Sequence, residues 1–145
     1  MSAGKAAPIE GEHPIAMVSV VSTDSYRGEV RAGRHHLVVD EGPDVGGDDQ
    51  GPNPYQLLLA GLVQCTAATL RMYANRKGWP LGEIAVRAQL LRTGDGATKD
   101  ERIERTIKVT GDLTEEQRNR LAEIAERTPV TRTLSSGLKI HTTFS

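Results

Sequence analysis

Leu57-Leu-Leu-Ala-Gly-Leu-Val-Gln-Cys-Thr-Ala-Ala-Thr-Leu70 runs fourteen residues without a charge and holds the only cysteine of the chain. Asn53-Pro54 stands before it, a good N-cap followed by a proline suited to the first helical position. Lys77-Gly78-Trp79-Pro80 follows it, a glycine stop with a proline behind. The spacing predicts one helix from Pro54 to about Arg76. Only Gln64, Thr66 and Thr69 interrupt the apolar surface between Leu57 and Leu70. A helix apolar on every side is expected to be buried on every side. So small a chain covers such a helix poorly by itself, which predicts a partner subunit.

Three strand-like segments precede the helix. Ile15 to Ser22, Tyr26 to Arg31 and His35 to Asp40, with turns at Asp24-Ser25 and Ala32-Gly33, predict an antiparallel meander. Glu41 to Gly51 is too rich in glycine and aspartate for regular structure. Its Gly46-Gly-Asp-Asp-Gln-Gly51 lacks the glycine spacing and lysine of a phosphate cradle and reads as a flexible approach loop. After the helix, Ile84, Val86, Ala88 and Leu90 alternate with more polar neighbours, as do Ile103, Ile107 and Val109. These are two strands with one buried face each, joined by a flexible Thr93 to Thr98. Thr114-Glu-Glu-Gln117 is a capping box opening a second helix with the stripe Leu121, Ile124 and Ala125. Thr128-Pro129 closes that helix, and Leu138 to Phe144 is expected as the last strand. Elements in this order suggest an α+β fold. Residues 1–13 are expected as a flexible tail and 14–145 as a single domain.

Composition narrows the function. The 18 Lys+Arg are interleaved with 19 Asp+Glu, the net charge is -1 and aromatic residues make up 3%. Neither a basic footprint nor a stacking platform is evident, so no nucleic-acid partner is expected. Met1 to Glu12 lacks the apolar core of a signal peptide, and no apolar run reaches the roughly 20 residues of a membrane span. The expectation is a cytoplasmic protein without a membrane partner. Of the four histidines, His35 and His36 are strand neighbours facing opposite ways, His13 lies in the tail and His141 stands alone. Metal-ligand spacings are absent, and neither a metal nor a cofactor is expected. Gly-x-Ser-x-Gly is absent too, which disfavours a serine hydrolase.

That leaves Cys65. It cannot form an intrachain disulfide, which fits a reducing compartment. A reactive cysteine needs its thiolate stabilised by a helix N-terminus or a cation. Cys65 lies roughly 16 Å along the helix from Pro54, and a helix dipole fades within the first turn. Activation therefore requires a cation from another segment or another subunit. Most buried free cysteines are inert packing. From the residues alone, packing and nucleophile both stay open.

Gly51-Pro-Asn-Pro-Tyr-Gln-Leu-Leu-Leu-Ala-Gly-Leu-Val-Gln-Cys-Thr-Ala-Ala-Thr-Leu70, continuing to Pro80, resembles the OsmC/Ohr superfamily of osmotically inducible and organic-hydroperoxide-resistance proteins, in its OsmC-like branch. Arg102 to Leu113 and Pro129-Val-Thr-Arg-Thr-Leu134 are similar to further segments of that family, and the likeness runs from Ile15 to Phe144. The resemblance implies an α+β OsmC-like fold: an N-terminal meander, a long buried central helix, further strands and a second helix, assembled as an intertwined homodimer. It implies that Cys65 is the peroxidatic cysteine and that an arginine from the meander reaches it at the dimer interface. Arg27 is the best match for that arginine, with Arg31 and Arg34 as alternatives.

The departures from the family are specific. Its second, resolving cysteine begins a Cys-Pro-Val-His-Arg-Thr-Leu motif, which here reads Thr128-Pro-Val-Thr-Arg-Thr-Leu134. A glutamate near the start of the central helix, which holds the arginine, is replaced by the neutral pair Tyr55-Gln56. The implied site is thus Cys65, Arg27 and Gln56. One reading is a one-cysteine thiol peroxidase of the oxidative stress response, reducing organic hydroperoxides with an external small thiol or dithiol. The other is a relative without peroxidase activity that binds a small hydrophobic ligand at the dimer interface.

Overall fold

A computed structural model describes Ala7, residues 9–94, Ala97 and residues 100–145. Residues 1–6 and 8 of the expected tail, and 95, 96 and 98 of the expected flexible connection, lie outside the described residues. The chain forms an α+β structure of two compact units. One takes in the chain up to Pro54 and returns for Leu138–Ser145; the other is Tyr55–Gly137.

In the first unit, β1 (Val18–Val21), β2 (Gly28–Ala32) and β3 (His35–Val39) form the expected antiparallel meander in the order β1-β2-β3. Gly33, at φ +61°, takes the left-handed conformation that the tight β2–β3 turn requires. β1 is shorter than the predicted Ile15 to Ser22. Val18 pairs with Ala32, the last residue of β2, so residues before Val18 have nothing opposite them. The predicted strand at Leu138 to Phe144 does not form. Its alternation is real, but no strand among the described residues hydrogen-bonds to it, and Leu138, Ile140 and Phe144 are exposed.

The loop after β3 also corrects the reading of a flexible approach. Pro43–Val45 is a short 3-10 helix, and the carboxylate of Asp40, only 2% exposed, grips the loop from inside. Its Oδ1 accepts the Glu41 N–H at 2.8 Å and its Oδ2 the Gln50 N–H at 3.2 Å. Asp40 N–H in turn donates to Pro52 O. Gly47 and Gly51 are required by close approach, since a Cβ there would collide with the carbonyl oxygens of Glu41 and Val38.

The second unit is built on α1 (Pro54–Lys77). It ends as expected: Gly78 is left-handed, Trp79 N–H reaches Ala74 O and Gly78 N–H reaches Asn75 O, the double bond of a Schellman motif. Burial on every side is not what one chain provides. Leu62, Thr66, Leu70 and Ala74 form a single buried stripe, and Leu58 and Met72 are exposed. By length and composition alone α1 could cross a membrane, a test that the core helix of a globular protein also passes. Its stripe nevertheless packs as a core helix does. Leu70 and Ala74 meet Leu81, Leu121 and Ala125, flanked by Tyr73, Trp79, Ile107 and Ile124.

β4 (Ile84–Thr93) and β5 (Asp100–Val109) pair antiparallel, with Val86 opposite Ile107 and Leu90 opposite Ile103. α2 (Glu115–Ala125) opens with the predicted capping box, Gln117 N–H donating to Thr114 Oγ1 and Thr114 N–H to Gln117 Oε1. Beyond it, Thr128-Pro129 does not simply close a helix. Pro129 is the first residue of α3 (Pro129–Ser136), with Thr128 as its N-cap. Proline stops a helix that reaches it from upstream, but it costs nothing at the first turn of a new one. The described residues thus hold three α-helices, not two.

Candidate functional site

Cys65 sits midway along α1, half-buried and unpaired. Its Sγ lies 3.9 Å from Oγ1 of Thr69, one turn on. Gln56 is exposed in the first turn of the same helix. It is nine residues before Cys65, about two and a half turns, so the two side chains leave opposite faces of α1. Tyr55 beside it is anchored: Arg92 Nη2 donates to its hydroxyl at 2.8 Å, and the guanidinium lies 5.3 Å from the ring centroid. The same arginine pairs with Glu101 at 2.8 Å.

Arg27 belongs to the first unit. Its Nη1 donates to Gln50 Oε1 at 2.6 Å, and its Nη2 pairs with Glu29 Oε1 at 2.7 Å. Arg31 on β2 and Arg34 in the turn after it are exposed. Burial would push the neighbouring Asp40 carboxyl up. The backbone N–H groups of Gln50, Glu41 and Asp48, aided by the Arg27 charge, outweigh burial and hold it below the usual carboxylate range.

Next to Cys65, Thr66 turns its side chain into the core. Its hydroxyl donates to Leu62 O at 2.7 Å and accepts from Arg105 Nη1 at 3.0 Å. Arg105 Nη1 also donates to Thr131 Oγ1 at 2.8 Å, and Nη2 to Ala125 O at 2.9 Å. Glu126, largely exposed, stands 3.6 Å from Nη2. Thr131 and the fully buried Thr128 share a 2.6 Å hydrogen bond. Thr128 and Thr131, where the resemblance has a cysteine and a histidine, therefore belong to one polar chain, which ends on the residue after Cys65. A cavity of about 240 Å³ opens beside it, lined by Leu62, Ile103, Arg105, Thr131 and Leu134.

Sequence reasoning missed Arg105, Asp40, Gln50 and Glu29. A signal for Arg105 existed: it falls on the inward register of β5, between Ile103 and Ile107, where a charge must have partners. Ala88 opposite leaves it room. Asp40 and Gln50 carried no such signal, because a glycine-rich loop hides which side chain organises it. Among the described residues no three His, Cys, Asp or Glu side chains gather as metal ligands.

A family model described as OsmC-like protein matches residues 47–143, more than half of the chain. No curated relative matches the sequence. Among solved structures, an organic hydroperoxide resistance protein OsmC from Legionella pneumophila is 20% identical with a TM-score of 0.66, covering 82% of this chain and 88% of that one. An OsmC like protein from Mycoplasma pneumoniae is 16% identical with a TM-score of 0.73, covering 86% and 89%. An organic hydroperoxide resistance protein from Elizabethkingia anophelis is 20% identical with a TM-score of 0.67, covering 84% and 89%. At these identities the likeness is one of fold.

Proposed function

The chain belongs to the OsmC-like protein family, and from that premise we propose that it is a one-cysteine thiol peroxidase acting on organic hydroperoxides. The observation that carries the reading is Cys65: a free, half-buried thiol in the middle of a helix that lies within the family match. The Cys65 thiolate attacks the terminal oxygen of the hydroperoxide and the O–O bond breaks. The alcohol leaves after taking up a proton, and the sulfur is left as a sulfenic acid. No second cysteine exists to resolve it. An external small thiol condenses with the sulfenic acid, releasing water, and a second thiol frees Cys65 as the small-molecule disulfide departs. Arg27 supplies the cation, delivered in an assembled homodimer working in the cytoplasm, and the two compact units act as one domain.

The cavity near Arg105 favours a second reading, a small-ligand binder without peroxidase activity. At about 240 Å³ it falls below the roughly 300–1,000 Å³ of ordinary ligand pockets, so the peroxidase reading stands ahead. Brief treatment with cumene hydroperoxide plus a sulfenic-acid trap separates them. Trapped sulfenate on Cys65, one alcohol per chain, and continued turnover only with added thiol are expected. A Cys65 that stays unmodified under excess hydroperoxide would leave the ligand-binding reading in its place.

A further inference from the structure

We propose that Glu29 and Gln50 are positioning residues that hold the Arg27 guanidinium for Cys65, with Asp40 fixing the loop that carries Gln50. The inference rests on the reading above that Arg27 serves Cys65. The start of α1 offers no carboxylate, only Tyr55-Gln56, and Tyr55 is committed to Arg92. Any restraint on Arg27 has to come from elsewhere, and its own unit supplies one.

Arg27 and Glu29 are two residues apart where the chain enters β2, so strand periodicity sets them on one face. That yields the 2.7 Å ion pair. An exposed ion pair restrains a long side chain only weakly by itself. The second contact differs in kind. Gln50 comes from a loop that cannot drift, because Asp40 holds its backbone N–H and Gly51 is pressed against the Val38 carbonyl. The 2.6 Å bond from Arg27 Nη1 therefore ties the guanidinium to a rigid point. Gln50 is also a neutral acceptor: it fixes the cation without cancelling its charge, as a second carboxylate would. A guanidinium has five N–H donors. These two contacts use one on each terminal nitrogen, and the rest of the fork is left for an anion.

The test uses full-length protein, following Cys65 alkylation by iodoacetamide across pH and its single-turnover reaction with cumene hydroperoxide. Arg27→Ala should slow both by about tenfold or more at neutral pH and move the alkylation profile to higher pH, as loss of a nearby cation does. The double variant Glu29→Gln with Gln50→Ala keeps the cation but frees it. It should move the profile the same way and slow the hydroperoxide reaction by at least about threefold, since a loosened catalytic group loses rate without loss of charge. If Arg27→Ala acts and the double variant stays at the wild-type rate and profile, the positioning role is overturned while Arg27 keeps its part. If Arg27→Ala changes nothing, the reading on which the proposal rests is overturned.

Discussion

A guanidinium on the inward face of a strand is expensive to desolvate unless its protons are received. Arg105 is tolerated because Thr66, Thr131 and the Ala125 carbonyl receive them. The consequence reaches beyond stability. The arginine stitches the start of α3 to the turn of α1 that carries Cys65, and the family resemblance leads us to expect residue 128 within reach of that thiol. Thr128→Cys preserves volume and gives up one hydroxyl bond to Thr131, a loss of about 1 kcal/mol. We expect hydroperoxide to drive a disulfide between Cys65 and the thiol introduced at 128, provided the two Cα atoms come within roughly 4.4–6.8 Å. Non-reducing mass analysis reads the bridge as the loss of two hydrogens. A variant that accumulates only sulfenic acid would show that Thr128 does not face Cys65.

At the scale of elements, the loop between β3 and α1 stands furthest from its sequence. Four glycines and three aspartates from Glu41 to Gly51 suggest looseness, yet one carboxylate just outside that stretch organises it. Because the Asp40 carboxyl is held below its ordinary range in the folded protein, the unfolded chain binds more protons in the window between the two values. Stability therefore rises with pH across that window. The contribution is fully present above the unfolded value of about 3.9 and is lost as pH falls through the folded one. Asp40→Asn should be destabilised most at neutral pH, and its deficit should shrink as both proteins are melted at progressively lower pH below about 4. A deficit independent of pH would mean that the carboxylate charge is not what grips the loop. The elements that were legible carried redundant signals: α1 had both caps, α2 its capping box, and β4 and β5 their alternation. α3 was hidden because Thr128-Pro129 serves equally as a stop and a start. The last strand was over-read because alternation specifies a pleated face but not the neighbour that must bond to it.

At the scale of the molecule, one chain leaves many large apolar side chains in water, which leads us to expect a second copy. Ile15, Met17, Ile140 and Phe144 are each more than 80% exposed, and Val18, Val20 and Val21 on β1 more than 60%. Large apolar side chains left in water in such number are the material of interfaces. Among the described residues β1 is an edge strand bonded on one side only, and 138–144 alternates like a strand with no strand beside it, so both could take pairing from a second copy. On α1, Leu58 and Met72 are open as well, which accounts for a helix apolar all round with only one stripe buried. Family membership makes a second copy the expected occupant. Sedimentation at micromolar concentration should give twice the 15.7 kDa chain mass. Ile140→Asp, which puts a charge where an apolar side chain should be covered, should weaken that dimer by at least about tenfold, equivalent to about 1.4 kcal/mol. If the proposed reading holds and Arg27 reaches Cys65 only in the assembly, the same variant should lose peroxidase activity in step with dissociation. A stable monomer with full hydroperoxide turnover would contradict the dimer and, with it, the route by which Arg27 reaches the thiolate.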